Sequence, residues 1–156
     1  MKMKKGSTYI AAALVFTLSL TGCGALNSVD QTLNYVNETT SYIQEVGSFG
    51  TKLSELSQDA VLSDEARTQL ENELNGIKDS IEQFAATDAP AYAESLHTNL
   101  TEYSSDLGAQ VDSLLAQLQS GEWKPEWLEQ SQIPELAGDI SGLLDQLKNL
   151  GGGEGG

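Results

Sequence analysis

Cysteine and histidine are almost absent from this chain of 156 residues, which contains one of each, Cys23 and His97. A single cysteine forms no internal disulfide, and a zinc site needs three or four cysteine and histidine ligands. Glycine-rich loops that lead into a helix and bind phosphate are also missing from the sequence. We therefore expect no disulfide framework, no metal site and no cofactor.

Candidate catalytic residues are equally scarce. His97 can act as a general base only beside a nucleophile and an orienting partner, and no serine lies in a Gly-x-Ser-x-Gly sequence. The carboxylates form no calcium-binding loop, and acidic residues such as Glu71, Asp79 and Glu82 lie where a helix faces water. We predict no catalytic residues and no enzyme activity, with His97 at the surface or boundary of the fold.

Basic residues are few, since eight Lys and Arg stand against 23 Asp and Glu and give a net charge of −15. Three of the eight lie among the first five residues, so a chain without its N-terminal segment keeps five basic side chains and a charge of −18. Such a surface repels nucleic-acid phosphates and anionic lipid head groups. Nucleic acid is therefore excluded as an expected partner.

The N-terminus combines three lysines with an apolar run over residues 9–20 and small residues after it. This order is typical of a secretory signal peptide. A transmembrane helix needs about 20 apolar residues, and the run reaches that length only if Thr21 and two glycines are included. We predict that residues 1–22 are a cleaved signal peptide.

Residues 20–23, Leu-Thr-Gly-Cys, resemble the lipobox of bacterial lipoproteins, in which an aliphatic residue and two small residues precede an invariant cysteine. The resemblance implies that Cys23 is the lipid attachment site, carrying a diacylglyceryl thioether. It also implies a lipid anchor on the outer face of the cytoplasmic membrane, with residues 23–27 as a lipidated tether. A plain secretory signal is the alternative, and it would leave Cys23 as a free thiol.

The rest of the chain shows apolar or small residues at helical spacing in four segments. Because amphipathic helices with short connections pack antiparallel, we predict an all-α, up-and-down antiparallel bundle of three to four helices over residues 28–150. A Gly-rich tail at residues 151–156 is expected to be disordered. The four stripes are Val29, Leu33, Val36, Thr40 and Ile43; Leu70, Leu74, Ile77, Ile81 and Phe84; Leu96, Leu100, Tyr103, Leu107, Val111, Leu114 and Leu118; and Leu136, Ile140, Leu143, Leu147 and Leu150.

Two glycines, Gly47 and Gly50, interrupt the first segment. Each costs about 1 kcal/mol relative to alanine within a helix. Both a continuous helix and a helix that kinks or breaks there are compatible with the sequence.

As a whole, the chain resembles a family of small uncharacterised lipoproteins of Gram-positive bacteria. The residues that carry this resemblance are the lipobox at 20–23, the run Thr-Leu-Asn-Tyr-Val-Asn-Glu at 32–38, the acidic middle helix, and the acidic and aromatic link into a leucine-rich last helix. The resemblance implies location and fold, and no activity.

Trp123 and Trp127 have two interpretations. They are either exposed contacts for a protein partner, since tryptophan is enriched at interface hot spots, or they pack locally and close one end of the bundle as a hydrophobic staple. The tyrosines at positions 35, 42, 92 and 103 are expected at the boundary of the core, with rings packed and hydroxyls wet.

Two functions from different classes fit these observations. The first is a non-catalytic protein-interaction or structural module, anchored by lipid and acting on an envelope protein close to the membrane. The second is a ligand-binding module that holds a small apolar molecule between its helices.

Overall fold

A computed structural model describes the backbone of residues 24–151 and the side chains of residues 30–150. The predicted signal peptide, the predicted lipid attachment site Cys23 and residues 152–156 of the predicted tail lie outside the described residues. The described part contains no strand, which confirms the all-α prediction. Its helices are α1 (Gly24–Asp59), α2 (Asp64–Ala85), α3 (Glu94–Gln119), α4 (Glu126–Glu129), α5 (Ile133–Gly142) and α6 (Leu144–Gly151), with a 3₁₀ turn at Ala91–Ala93.

Neighbouring helices run in opposite directions. Ser80 of α2 donates a hydrogen bond to Glu45 of α1 at 2.7 Å, whereas Lys52, further along α1, pairs with the earlier α2 residue Glu73 at 3.6 Å. α3 returns beside α2, and α5 packs between α3 and α1. This order forms the up-and-down bundle. We call the end at which α1 begins the proximal end, because it follows Cys23, and the end at which α1 leads into α2 the distal end.

α2 follows its sequence pattern closely. The Ser63 hydroxyl caps the helix by accepting a hydrogen bond from the amide of Ala66 at 3.1 Å. All five residues of the predicted stripe, from Leu70 to Phe84, are buried. Their spacing of four and three residues places them on one face of the helix, and this face packs against α1 and α3.

α3 ends where its sequence predicts. Gly121 has a φ of +86°, in the left-handed region that glycine adopts without steric cost. The residues of the α3 stripe are buried except for Tyr103, which is half-buried, while Ser104 and Leu115 are buried in addition.

The predicted last helix is two helices instead of one. The amide of Leu143 bonds the carbonyl of Ile140 at 3.1 Å, which is a three-residue spacing that tightens the backbone between α5 and α6. Gly142, immediately before this point, is a poor helix former. Leu143 and Leu147 are nevertheless buried, so both short helices contribute to one apolar face.

α1 is continuous through Gly47 and Gly50. A Cβ atom at Gly47 would meet Ser141 Oγ at 3.0 Å, and one at Gly50 would meet Ala137 Cβ at 3.3 Å. The two glycines therefore allow a close approach between α1 and α5. Packing in this region outweighs the low helix propensity of glycine.

The buried face of α1 differs from the predicted stripe. Leu33 is exposed, and Val36 and Thr40 are only partly buried, whereas Tyr35 and Tyr42 are in the core. Tyr35 and Tyr42 are buried there because each tyrosine ring carries a large apolar area that packs in the core.

The tether prediction also needs correction. α1 begins at Gly24, so residues 24–27 extend the helix instead of forming a separate extended segment. Each added helical residue gains a backbone hydrogen bond once the helix is nucleated, and no proline interrupts this stretch.

Candidate interaction groove

The two tryptophans lie at the distal end. Trp123 is buried, and its indole Nε1 donates a hydrogen bond to the Ser57 carbonyl at 2.7 Å. Its ring meets the half-buried Trp127 edge-on, with the ring centroids 6.0 Å apart. Trp123 therefore closes the end of the bundle and is not an exposed contact for a partner. A partner contact remains a prediction for Trp127 alone.

Two tyrosines predicted at the boundary are buried in the proximal half of the bundle. The Tyr42 hydroxyl donates to Ser104 Oγ at 2.5 Å, and Ser104 in turn donates to the Leu100 carbonyl. Burial raises the pKa of Tyr42 to about 12. The hydroxyl therefore stays protonated at neutral pH and acts as a structural donor between α1 and α3.

Tyr35 links the same two helices one level closer to the proximal end. Its hydroxyl lies 3.2 Å from His97 Nδ1, and burial raises the pKa of Tyr35. The nearby Thr39 hydroxyl opposes that shift, although it is buried and makes no hydrogen bond of normal geometry. Burial also lowers the pKa of His97, so the neutral imidazole is favoured.

Phe84 of α2 joins these residues into one aromatic cluster. Its ring stacks on Tyr42 with a centroid distance of 4.3 Å and an interplanar angle of 2°, and it lies 4.9 Å from the His97 ring. The proximal half of the core therefore contains aromatic rings and hydroxyls that bridge α1, α2 and α3, beside aliphatic side chains such as Leu100 and Leu147.

A surface groove runs outside this cluster, between α1 and the end of α2. It consists of two adjoining concavities of about 530 and 380 Å³ that share Glu38 and Thr87. We call it the α1–α2 groove. It is lined by Gln31, Asn34, Tyr35, Asn37, Glu38, Ser41, Tyr42 and Glu45 of α1 and by Ser80, Gln83, Phe84, Thr87, Asp88, Ala89 and Pro90.

The groove has an apolar floor and an acidic rim. Its buried lining residues are Tyr35, Tyr42 and Phe84, whereas Glu38, Glu45 and Asp88 are exposed. No lysine or arginine lines either concavity. Carboxylates beside aromatic rings attract a cationic group that also carries apolar carbon atoms.

The described residues around the groove were also compared with the arrangements that metal sites and catalytic triads require. Among residues 30–150, no group of three or more Cys, His, Asp and Glu side chains is placed to hold a metal ion. His97 bonds a tyrosine hydroxyl that burial keeps protonated, and neither residue faces a serine or cysteine nucleophile in a triad-like arrangement. The pKa shifts here follow from core burial.

Sequence reasoning did not identify this groove. The seven-residue spacing of Tyr35 and Tyr42 does place both rings on one face of α1. The missing information is the position of α2, because the groove exists only where Gln83, Phe84 and Thr87 lie opposite that face.

Taken together, the fold and the groove define a class of protein: an acidic helical bundle with a surface groove between α1 and α2 and, among its described residues, no group of side chains placed to hold a metal ion. Within the described part of the chain, no helix is both long enough and apolar enough to cross a membrane. A family of unknown function, DUF6376, matches residues 35–150, and the chain belongs to this family.

A protein with a similar sequence is described as a lipoprotein. The chain is 31% identical over 134 residues to the "Uncharacterized lipoprotein YybP" of Bacillus subtilis (strain 168), and the alignment covers 86% of this chain and 90% of the relative. No solved structure matches the chain. These similarities confirm the relation to uncharacterised Gram-positive lipoproteins and support membrane anchoring in the cell envelope.

Proposed function

We propose that this protein is a non-catalytic interaction module, held by lipid at Cys23 on the outer face of the cytoplasmic membrane. Its α1–α2 groove receives a basic, partly apolar segment of an envelope protein close to the membrane. The observation that carries this proposal is the charge of the groove, which has three exposed carboxylates on its rim and no basic residue in its lining.

The chemistry of the groove favours a protein segment as the ligand. Glu38 and Glu45 lie seven residues apart on α1, which corresponds to about 10 Å along the helix axis. Two basic side chains spaced along a partner segment match this separation. Ring atoms of Tyr42 and Phe84 at the floor provide apolar contact for the stems of such side chains.

The position of the groove favours a partner near the membrane. The groove occupies residues 31–45 of α1, in the half of the bundle that is nearer to Cys23. Residue 31 is eight positions from Cys23, or about 12 Å along a helix. A segment bound here lies beside the membrane surface rather than across the cell wall.

The alternative of an apolar ligand held between the helices has less support. Positions that would line such a cavity, including Leu70, Leu100 and Ile140, are fully buried and belong to one contiguous cluster of packed side chains. The two concavities of the groove have mixed polar and apolar linings and lie at the surface.

Photocrosslinking in intact cells tests the proposal. A benzophenone amino acid is placed at Asn37, an exposed residue of the groove, and in a matched variant at Asn99, an exposed residue of α3. We expect Asn37 to crosslink to an envelope protein through a segment that contains lysine or arginine, and we expect no such product from Asn99.

Charge reversal then tests the role of the rim. Glu38→Lys should abolish the crosslink from position 37, whereas Glu102→Lys, which makes the same charge change on α3, should leave it intact. Equal products from positions 37 and 99, or a crosslink that survives Glu38→Lys, would contradict binding in the groove.

A further inference from the structure

Among residues 30–150, five large hydrophobic side chains are exposed, and they lie towards the two ends of the bundle. Val61 and Leu62 are 51% and 81% exposed in the turn between α1 and α2, at the distal end. Leu33, Tyr92 and Leu150 are 55%, 40% and 38% exposed. The last three belong to three different elements, and each lies near the proximal end.

Contacts between the elements bring these three residues to the same end. The Tyr92 hydroxyl donates to the carbonyl of Thr32, the neighbour of Leu33, at 3.5 Å. α6 packs along α1. Gly47 lies opposite Ser141, and when this antiparallel register is extended by nine residues, Leu150 falls level with about residue 38 of α1. Leu150 and Leu33 are therefore separated by about 8 Å along the α1 axis. We call Leu33, Tyr92 and Leu150 the proximal patch.

Cys23 lies directly before α1, with no separate tether between them. Leu33 is ten residues further on, about 15 Å along the helix axis. The polar region on each side of a bilayer is about 5–7 Å thick. A lipidated Cys23 therefore holds the proximal patch within reach of the membrane surface, and tilting of α1 brings the patch into contact with it.

We infer that the proximal patch docks into the head-group region of the membrane that anchors Cys23, so that the bundle leans on the lipid surface instead of moving freely above it. The inference rests on the lipid anchor and goes beyond the proposed groove function. Tyr92 suits this position because a tyrosine ring and hydroxyl match an interface that is apolar on one side and wet on the other.

A zwitterionic lipid surface fits the patch better than an anionic one does. Asp30, Asp88 and Glu94 are exposed around the proximal end, and Lys148 is its nearby basic side chain, paired with Asp145 at 3.5 Å. These acids repel anionic head groups, so contact with the membrane comes from apolar burial. A zwitterionic surface is the appropriate probe, and the single-point anchor makes even weak burial effective.

Site-specific fluorescence tests the inference on the full lipidated protein. Cys23 is the only native cysteine, and its sulfur is blocked by the lipid, so one introduced cysteine takes an NBD label at a single position. Leu33→Cys probes the patch, and Leu62→Cys, an equally apolar and more exposed residue at the distal end, is the matched control. The proteins are reconstituted in phosphatidylcholine vesicles that contain brominated acyl chains.

At position 33 we expect blue-shifted emission and at least twofold stronger quenching by the brominated lipid than at position 62. Leu150→Cys provides a second probe of the patch and should behave like position 33. Flotation of each labelled protein with the vesicles, and its loss in Cys23→Ala, separates failure of the anchor from failure of docking.

Water-like emission at positions 33 and 150 in protein that floats with the vesicles would overturn the inference. Equal quenching at positions 33 and 62 would also overturn it, because the bundle would then lie along the membrane with both ends in contact. Shielding of position 33 that disappears when the vesicles are diluted to one protein each would assign the patch to a second copy of the chain. No envelope protein is present, so the groove proposal is unaffected by any of these outcomes.

Discussion

The two halves of the bundle have different cores. In the distal half, buried leucine and isoleucine side chains such as Leu53, Leu74 and Ile133 belong to the apolar core, and the hydrogen bond from Trp123 to the Ser57 carbonyl lies at its end. In the proximal half, Tyr35, Tyr42 and hydroxyl groups bridge α1 and α3. Apolar burial contributes most of the stability of a fold and is present in both halves, whereas the directional contacts between rings and hydroxyls lie in the proximal half, beside the proposed binding groove.

The contacts of α1 also differ along its length. Near its middle, Gly47 and Gly50 let α1 approach α5 closely. Towards the proximal end, α1 and α2 leave the groove between them.

The largest expected effect is in the distal core. Leu74→Ala removes a fully buried side chain of α2 and should lower the free energy of unfolding by about 2–5 kcal/mol, through lost burial and the cavity left behind. Urea denaturation followed by circular dichroism measures it. Gln69→Ala, an exposed position of the same helix, should stay within about 0.5 kcal/mol. Similar losses at both positions would contradict an apolar core on this face.

The accuracy of the predictions made from the sequence differs between helices in the same way. Periodicity was sufficient for α2, where every stripe residue is buried, because its apolar residues all lie on one face. On α1, Leu33 continues the apolar stripe beyond the stretch that α6 covers and is exposed. A tyrosine side chain has an apolar ring and a polar hydroxyl, so periodicity alone does not predict whether it is buried or exposed.

The groove and the hydrogen-bond partner of Trp123 were beyond sequence reasoning for a related reason, although the sequence had offered local packing of Trp123 at one end of the bundle as one of two interpretations, and Trp123 is buried there. Each depends on a contact between residues far apart in the chain: Phe84 against Tyr42, and Trp123 against the Ser57 carbonyl. Helical spacing predicts which face of a helix is apolar and leaves open the register between two helices. The lipobox, in contrast, is read from four consecutive residues, and the similarity to a lipoprotein agrees with it.

A smaller effect is expected from the proximal core. Tyr42→Phe keeps the ring stacked on Phe84 and removes the hydrogen bond to Ser104, while Ser104 still donates to the Leu100 carbonyl. The expected loss is about 0.5–1.5 kcal/mol, the net contribution of one hydrogen bond. Tyr103→Phe, at a half-buried tyrosine on α3, is the control and should change stability less. A loss at Tyr42 as large as that of Leu74→Ala would mean that the two halves do not differ.

The smallest effect concerns the pH dependence of the proximal half. Burial lowers the pKa of His97 in the folded state, whereas an unfolded histidine titrates near about 6.5. The unfolded chain therefore binds the proton more readily, so stability is fully present above about pH 6.5 and declines as the pH falls through the folded pKa. Protonation also leaves Nδ1, the atom that faces the Tyr35 hydroxyl, able to donate a hydrogen bond but not to accept one.

Carboxylates titrate at lower pH and would obscure this decline, so the measurement is a difference between two proteins. Denaturation midpoints of the unchanged chain and of His97→Gln are compared between pH 8 and pH 5. The unchanged chain should lose more stability over this interval, and the gap should open at the histidine titration rather than near pH 4. Tyr42→Phe should keep the same gap, because its hydroxyl bonds Ser104 and not the imidazole. Parallel curves for the unchanged chain and His97→Gln would show that the imidazole is as well solvated in the fold as in the unfolded chain, and that the proximal core is open to water at α3.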